Sequence, residues 1–280
     1  MARFLRAEHS NGRISWLPRL LALGMLAGLA HRLEAQECPR PTLPAYAHND
    51  YANPRPLVDA LTLGFHGVEA DVFLVDGVLR VGHDKRTART GGMLDSLYLA
   101  PLRAHVARCG TLTTDGRPFL LTIEIKEASS ATYDAVRALL AGYRGLLEHS
   151  GADPALSVVL VGWSPPTSPA EGSIDALIGV QYRLVRTDAR RLDTLGTRVH
   201  LISLDYGKTI GRWWRTSGGR RQWWNALRTA RAAAPDRLIR VHNVPVDSAI
   251  YVRLYDAGVD LIGTKQLAES ERILRSLDKR

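Results

Sequence analysis

A chain of 280 residues with 45% apolar and 23% charged side chains is long enough to bury a sizeable core and too apolar to be disordered. Its formal charge is +9, and the first 35 residues hold five arginines and two glutamates, which leaves about +6 on the remainder. That balance suits an anionic substrate or a lipid surface, and no nucleic-acid-binding motif accompanies it.

The first element in the chain is an expected leader. Arg3, Arg6, Arg13 and Arg19 precede the apolar run "LLALGMLAGLA" over residues 20–30, and small residues follow at Ala30 and Ala35. This order predicts a secretory signal peptide over residues 1–35 and an exported domain over 36–280, periplasmic or secreted. The run falls short of the roughly 20 apolar residues that a spanning helix needs, and Glu37 before Cys38 argues against a lipoprotein anchor. Export places Cys38 and Cys109 where thiols oxidise, so they either form one disulfide or remain two free thiols.

Short apolar runs then alternate with helical patterns to the end of the chain. Candidate strands are "LPAYAH", "GVEADVFL", "FLLTIEIK", "LSVVLVGW", "IGVQYRL", "VHLISLDY", "RLIRVHNV" and "VDLIGTK". Between them Tyr133, Val136, Leu140, Tyr143 and Leu147 recur at helical spacing, and "DSAIYVRLYDAG" and "AESERILRSLDK" read as amphipathic helices. Eight βα units in one domain predict an α/β fold, the (β/α)8 TIM barrel, with its site at the C-terminal ends of the strands. The segment "GRWWRTSGGRRQWWNALR" follows strand 6. Its second Trp pair is expected to pack on the barrel, while the first pair either packs too or touches lipid headgroups or substrate as a flap.

In that fold His48 and Asn49 end strand 1, Glu69 and Asp71 lie on strand 2, His83 on the loop after it, and Glu124 and Lys126 on strand 3. Residues i and i+2 of a strand share a face, so each pair points one way. Any of these alone is unremarkable: an E-x-D is commonly a salt-bridged edge and a His-Asp pair a turn. Together they gather at one mouth. Three carboxylates there repel one another unless a cation sits among them, and oxygen donors suit Ca2+ or Mg2+ rather than zinc. Two histidines beside such an ion suit proton transfer near neutral pH.

The combination "AHND…GVEADV…VGHD…TIEIK" resembles the phospholipase C-like phosphodiesterase superfamily, which includes the glycerophosphodiester phosphodiesterases. Within it the chain is most similar to the branch of altered inheritance of mitochondria protein 6. The resemblance implies that His48 and His83 form an acid/base pair, that Glu69, Asp71 and Glu124 hold a divalent cation, and that Lys126 contacts phosphate. Two positions depart from the glycerophosphodiesterase pattern. Asn49 replaces an Arg, which is similar to calcium-dependent phosphatidylinositol-specific phospholipases C, where the Asn amide oxygen ligates the ion; the alternative is that Asn49 caps its own turn through a side-chain hydrogen bond. Lys265 replaces an Asp, and either supplies the positive charge lost at Asn49 or faces solvent.

The implied activity is an exported, metal-dependent phosphodiesterase acting on a phospholipid or glycerophosphodiester, with peripheral membrane contact in view. Two alternatives are a sphingomyelinase D-like lyase with a cyclic product and a barrel that binds phosphate or lipid without turnover.

Overall fold

The computed structural model describes residues 38–148, 155–163, 168–184, 196–206 and 216–277. The expected leader and the first Trp pair, Trp213 and Trp214, lie outside the described residues. No helix among the described residues is long and apolar enough to cross a membrane.

Among the described residues nine strands form one sheet: β1 (Leu43–Ala47), β2 (Phe65–Val75), β3 (Val78–Val81), β4 (Phe119–Ile125), β5 (Leu156–Val161), β6 (Ile178–Arg183), β7 (Val199–Asp205), β8 (Leu238–His242) and β9 (Leu261–Thr264). Eight are parallel and close into a barrel, because β1 pairs with both β2 and β9. All eight predicted strands are present. The additional strand is β3, which folds back antiparallel on β2 through a two-residue turn at Asp76 and Gly77, both with positive φ. Asp-Gly at a tight hairpin is the expected chemistry, since both central residues adopt left-handed backbone.

The strand alternation separates two cores. Residues facing outward pack with the helices into one large cluster, and Tyr46, Leu120, Val159, Leu201 and Leu261 form a second, smaller one. Counting by twos from the second cluster assigns Glu69, Asp71, Thr122, Glu124, Ser203, Asp205, Arg240 and His242 to the same inward face. The barrel interior is therefore apolar at its lower level and polar above. Gly67 is needed at the lower level, where a Cβ would come within 2.7 Å of the Leu120 carbonyl oxygen and 3.2 Å of the Tyr46 ring.

Helices follow where the periodicity predicts them. The first helices are α1 (Val58–Thr62), α2 (Lys85–Thr90) and α3 (Ala100–Cys109). Next, α4 (Ser130–Ala141) buries Tyr133, Val136 and Leu140, capped by Ser129, whose hydroxyl accepts from the Thr132 N–H. The short α5 (Arg144–Leu147) continues the same face, and α6 (Ile174–Leu177) leads into β6. In α7 (Ser217–Ala233) Trp223 and Trp224 are both buried against the barrel, as expected for the second Trp pair. The barrel closes with α8 (Ser248–Asp256) and α9 (Leu267–Leu277). Cys38 and Cys109 are joined by a disulfide, tying the chain ahead of β1 to the end of α3.

Candidate active site

The parallel register of β2 and β4 sets Asp71 opposite Glu124 and Glu69 opposite Thr122. Glu69 and Asp71 are buried and Glu124 is half-buried, and one oxygen from each lies within 4.8 Å of the others. Such crowding is tolerable only with counter-charge. Lys126 Nζ lies 3.2 Å from Asp71 Oδ2 and 3.1 Å from Glu124 Oε1, and Arg240 Nη1 lies 3.6 Å from Glu69 Oε2. Burial pushes the Glu69 carboxyl up to about 7; Arg240 opposes this, and Asp71 and Glu124 add to it. The chemistry of the cluster fits a hard divalent cation: the donors are carboxylate oxygens, and Asp71 Oδ1 is buried with no hydrogen-bond partner among the described residues.

The two motif histidines approach this cluster from different elements. His48 directly follows β1, where its backbone N–H donates to the Thr264 carbonyl at 2.9 Å, and its Nε2 lies 3.8 Å from Glu69 Oε2. Burial, then the charges of Arg240, Lys265 and His242, pull its pKa down to about 4, so the ring is neutral at ordinary pH. His83 comes from beyond β3. Its Nδ1 lies 3.3 Å from Asp71 Oδ2 while 67% of its side chain is exposed, which leaves the far edge of the ring open to a ligand.

Asn49 has left-handed backbone, φ 52° and ψ 50°, and makes no side-chain capping hydrogen bond. Its part in the turn is conformational, at a φ that Asn tolerates better than most residues. The turn itself is held by Asp50, whose Oδ2 accepts from the Leu57 N–H at 2.5 Å; burial raises that carboxyl to about 6. Lys265 is exposed and shares with His48, Asn243, Thr264 and Gln266 the lining of a pocket of about 360 Å³.

Sequence reasoning did not single out Tyr51, Arg240, His242 or Asp205. Tyr51 donates to Asp71 Oδ2 at 2.7 Å. Arg240 is 5% exposed; its Nη2 donates to Gln181 Oε1 at 2.8 Å and its guanidinium lies 4.9 Å from the Tyr46 ring centroid. His242 Nε2 lies 3.5 Å from Asp205 Oδ2, and its ring stands edge-on to His48 with centroids 6.4 Å apart. The available signal was "IRVHN", a basic residue, a histidine and an asparagine at the end of a late strand, which echoes "AYAHN" on the first.

Residues 40–150 match the AIM6-like phosphodiesterase domain. That span runs from ahead of β1 past α5 and contains every motif on which the resemblance rests, and it bears out the superfamily and the branch. One relative, the altered inheritance of mitochondria protein 6 homolog of Arthroderma benhamiae, is 39% identical over 66 residues, which is 21% of this chain and 21% of that protein. The matched stretch thus spans about a fifth of the relative's length. Among solved structures, a glycerophosphodiester phosphodiesterase from Parabacteroides distasonis is 18% identical with a TM-score of 0.49, covering 86% of this chain and 99% of its own. Another from Agrobacterium tumefaciens is 16% identical with a TM-score of 0.49, covering 83% and 100%.

Proposed function

We propose that this AIM6-like domain is a metal-dependent phosphodiesterase that cleaves a phosphodiester of a phospholipid or glycerophosphodiester. The observation that carries this reading is the placement of two histidines around one carboxylate cluster at a single barrel mouth, His48 against Glu69 and His83 against Asp71. Glu69, Asp71 and Glu124 hold the divalent cation, Ca2+ or Mg2+, with Asn49 as a further oxygen donor. When bound, the cation neutralises the phosphodiester and polarises its P–O bonds.

The chain's own groups divide the proton work. His48, neutral because it is buried beside Arg240, accepts the proton of the attacking hydroxyl, whether that belongs to the substrate or to water. His83 gives a proton to the leaving oxygen as the P–O bond breaks. Its Nδ1 faces a carboxylate oxygen, which only accepts, so Nδ1 keeps a hydrogen, and the proton given up is the second one of the imidazolium, carried on Nε2 at the edge left for substrate. Lys126 and Lys265 supply positive charge for the phosphoryl oxygens. Export through the leader at residues 1–35 is part of the proposal, and the Cys38–Cys109 disulfide supports it, since such bonds persist in oxidising compartments.

The test is a screen of phospholipids and glycerophosphodiesters with Ca2+ or Mg2+, with mass analysis of the products. A phosphomonoester formed only with metal supports hydrolysis. A cyclic phosphate assigns the attack to a hydroxyl of the substrate, the lyase chemistry, and binding without turnover across the screen would leave a phosphate- or lipid-binding barrel.

A further inference from the structure

Asp71 uses its two oxygens unequally. Oδ2 meets three groups from three elements: the Tyr51 hydroxyl at 2.7 Å, Lys126 Nζ at 3.2 Å and His83 Nδ1 at 3.3 Å. Oδ1 is buried and has no hydrogen-bond partner among the described residues. A carboxylate oxygen left buried without a donor is costly, so the arrangement is not what packing alone would select. Of the three groups on Oδ2, only Tyr51 combines a neutral hydroxyl with a half-buried ring packed on the main core. It is also the shortest contact, and the same hydroxyl lies 3.3 Å from His83 Nδ1.

We propose that Tyr51 is a positioning residue of the site: its hydroxyl fixes Asp71 through Oδ2, so that Oδ1 turns toward Glu69 and Glu124 as the atom offered to a divalent cation, and it seats His83 against the same carboxylate. The inference rests on the proposed cation site, not on any particular substrate. A hydroxyl in this place acts on the ligand rather than on the ion. Groups that orient metal ligands in this way typically change affinity by about 10- to 100-fold when removed. Tyr51 also links two motifs that are separate in sequence, because it lies in the turn Asp50–Ala52 after β1 whereas Asp71 and His83 belong to β2 and to the chain beyond β3.

Tyr51→Phe keeps the ring and deletes only the hydroxyl. Calorimetric titration with Ca2+ and with Mg2+ is expected to give about 10-fold or greater loss of affinity in this variant, with an unchanged melting temperature in the absence of metal. A purely structural tyrosine would show the reverse, a lower melting temperature and superimposable metal titrations, and that result would overturn the proposal. A second measurement needs no variant: in crystals of the parent protein soaked with Mn2+, the anomalous signal is expected within bonding distance of Asp71 Oδ1, and an ion on Oδ2 overturns the assignment. A parent protein that binds metal but cleaves no phosphodiester refutes the proposed activity alone, and the titrations still decide the role of Tyr51. A parent that binds neither Ca2+ nor Mg2+ removes both.

Discussion

Both ends of the barrel carry clustered charge, but they balance it differently. At the N-terminal end Asp260, just ahead of β9, is met by Arg117 at 2.9 Å, by Arg231 and by the Ile239 N–H at 2.8 Å, and Asp115 is met by Arg117 at 2.8 Å. Every carboxylate in that group faces a guanidinium. At the C-terminal end one oxygen each of Glu69, Asp71 and Glu124 lies within 4.8 Å of the others, with Lys126 and Arg240 beside them, and one buried carboxylate oxygen has no donor among the described residues. The first arrangement is complete in itself and holds strands together. The second has acceptor capacity to spare, which is what a cation site requires.

If this contrast is right, substitutions at the mouth alter chemistry and spare stability, and those at the other end do the opposite. The largest effect is expected at the histidines: His48→Ala and His83→Ala each lower turnover by about 10²- to 10⁴-fold, measured at saturating metal, with the circular dichroism spectrum of the parent. Glu69→Gln, Asp71→Asn and Glu124→Gln weaken metal binding, and activity partly recovers as metal is raised; an unchanged titration would remove that residue from the ligand set.

Reduction of Cys38–Cys109, which spans 71 residues, is next. The chain-entropy model gives a loss of about 4 kcal/mol, read as a shift in the denaturation midpoint, with kcat unchanged in protein that remains folded. Asp260→Asn at the fully paired end costs about 1–3 kcal/mol and leaves kcat and metal affinity at parental values; a matching fall in metal affinity would show that the two ends are not independent.

The smallest effect is a pH dependence. Burial of Asp115 works against ionisation, but hydrogen bonds from Arg117 and the charges of His66 and Arg117 outweigh it and hold the carboxyl below its ordinary 3.8. A folded pKa below the unfolded one contributes stability above the unfolded value that is lost as pH falls through the folded value. Asp115→Asn should therefore flatten the acid limb of the stability curve and leave stability at neutral pH only slightly lowered.

The fold was legible because a parallel barrel buries both faces of its strands and writes them as apolar runs. The hairpin strand β3 was legible in "FLVDGVLRV", where Asp76 and Gly77 between two apolar runs signal a tight turn, but an eight-unit reading treats the chain after a barrel strand as loop and passes over it. Glu69, Asp71, Glu124 and Lys126 were legible because the i, i+2 spacing that defines a shared face is local. Arg240 and His242 were not, since a single basic residue in "RLIRVHNV" is ordinary until closure of the barrel brings β8 across from β2. The left-handed backbone of Asn49 likewise depends on a turn whose hydrogen bonds reach Leu57, outside any short motif.

The hairpin that carries His83 has a mechanical consequence. β2 rises past Asp71 to Val75, turns at Asp76 and Gly77, and β3 descends in register, Val75 against Val78 and Val72 against Val81, until the Gly82 N–H donates to the Asp71 carbonyl at 3.0 Å. His83 thus returns to the level of Asp71 by climbing over the rim and back. Its height is gauged by pairing along the hairpin, whereas that of His48 is gauged by the barrel itself. Adding one residue to each arm leaves Gly82 opposite Asp71 and lengthens only the crest, while a slip of one residue in a single arm turns the imidazole to the opposite face. A slip of two residues in a single arm restores the face and moves the imidazole along β2, so the spacing between the two imidazoles is set from outside the barrel by a ruler graduated in steps of two.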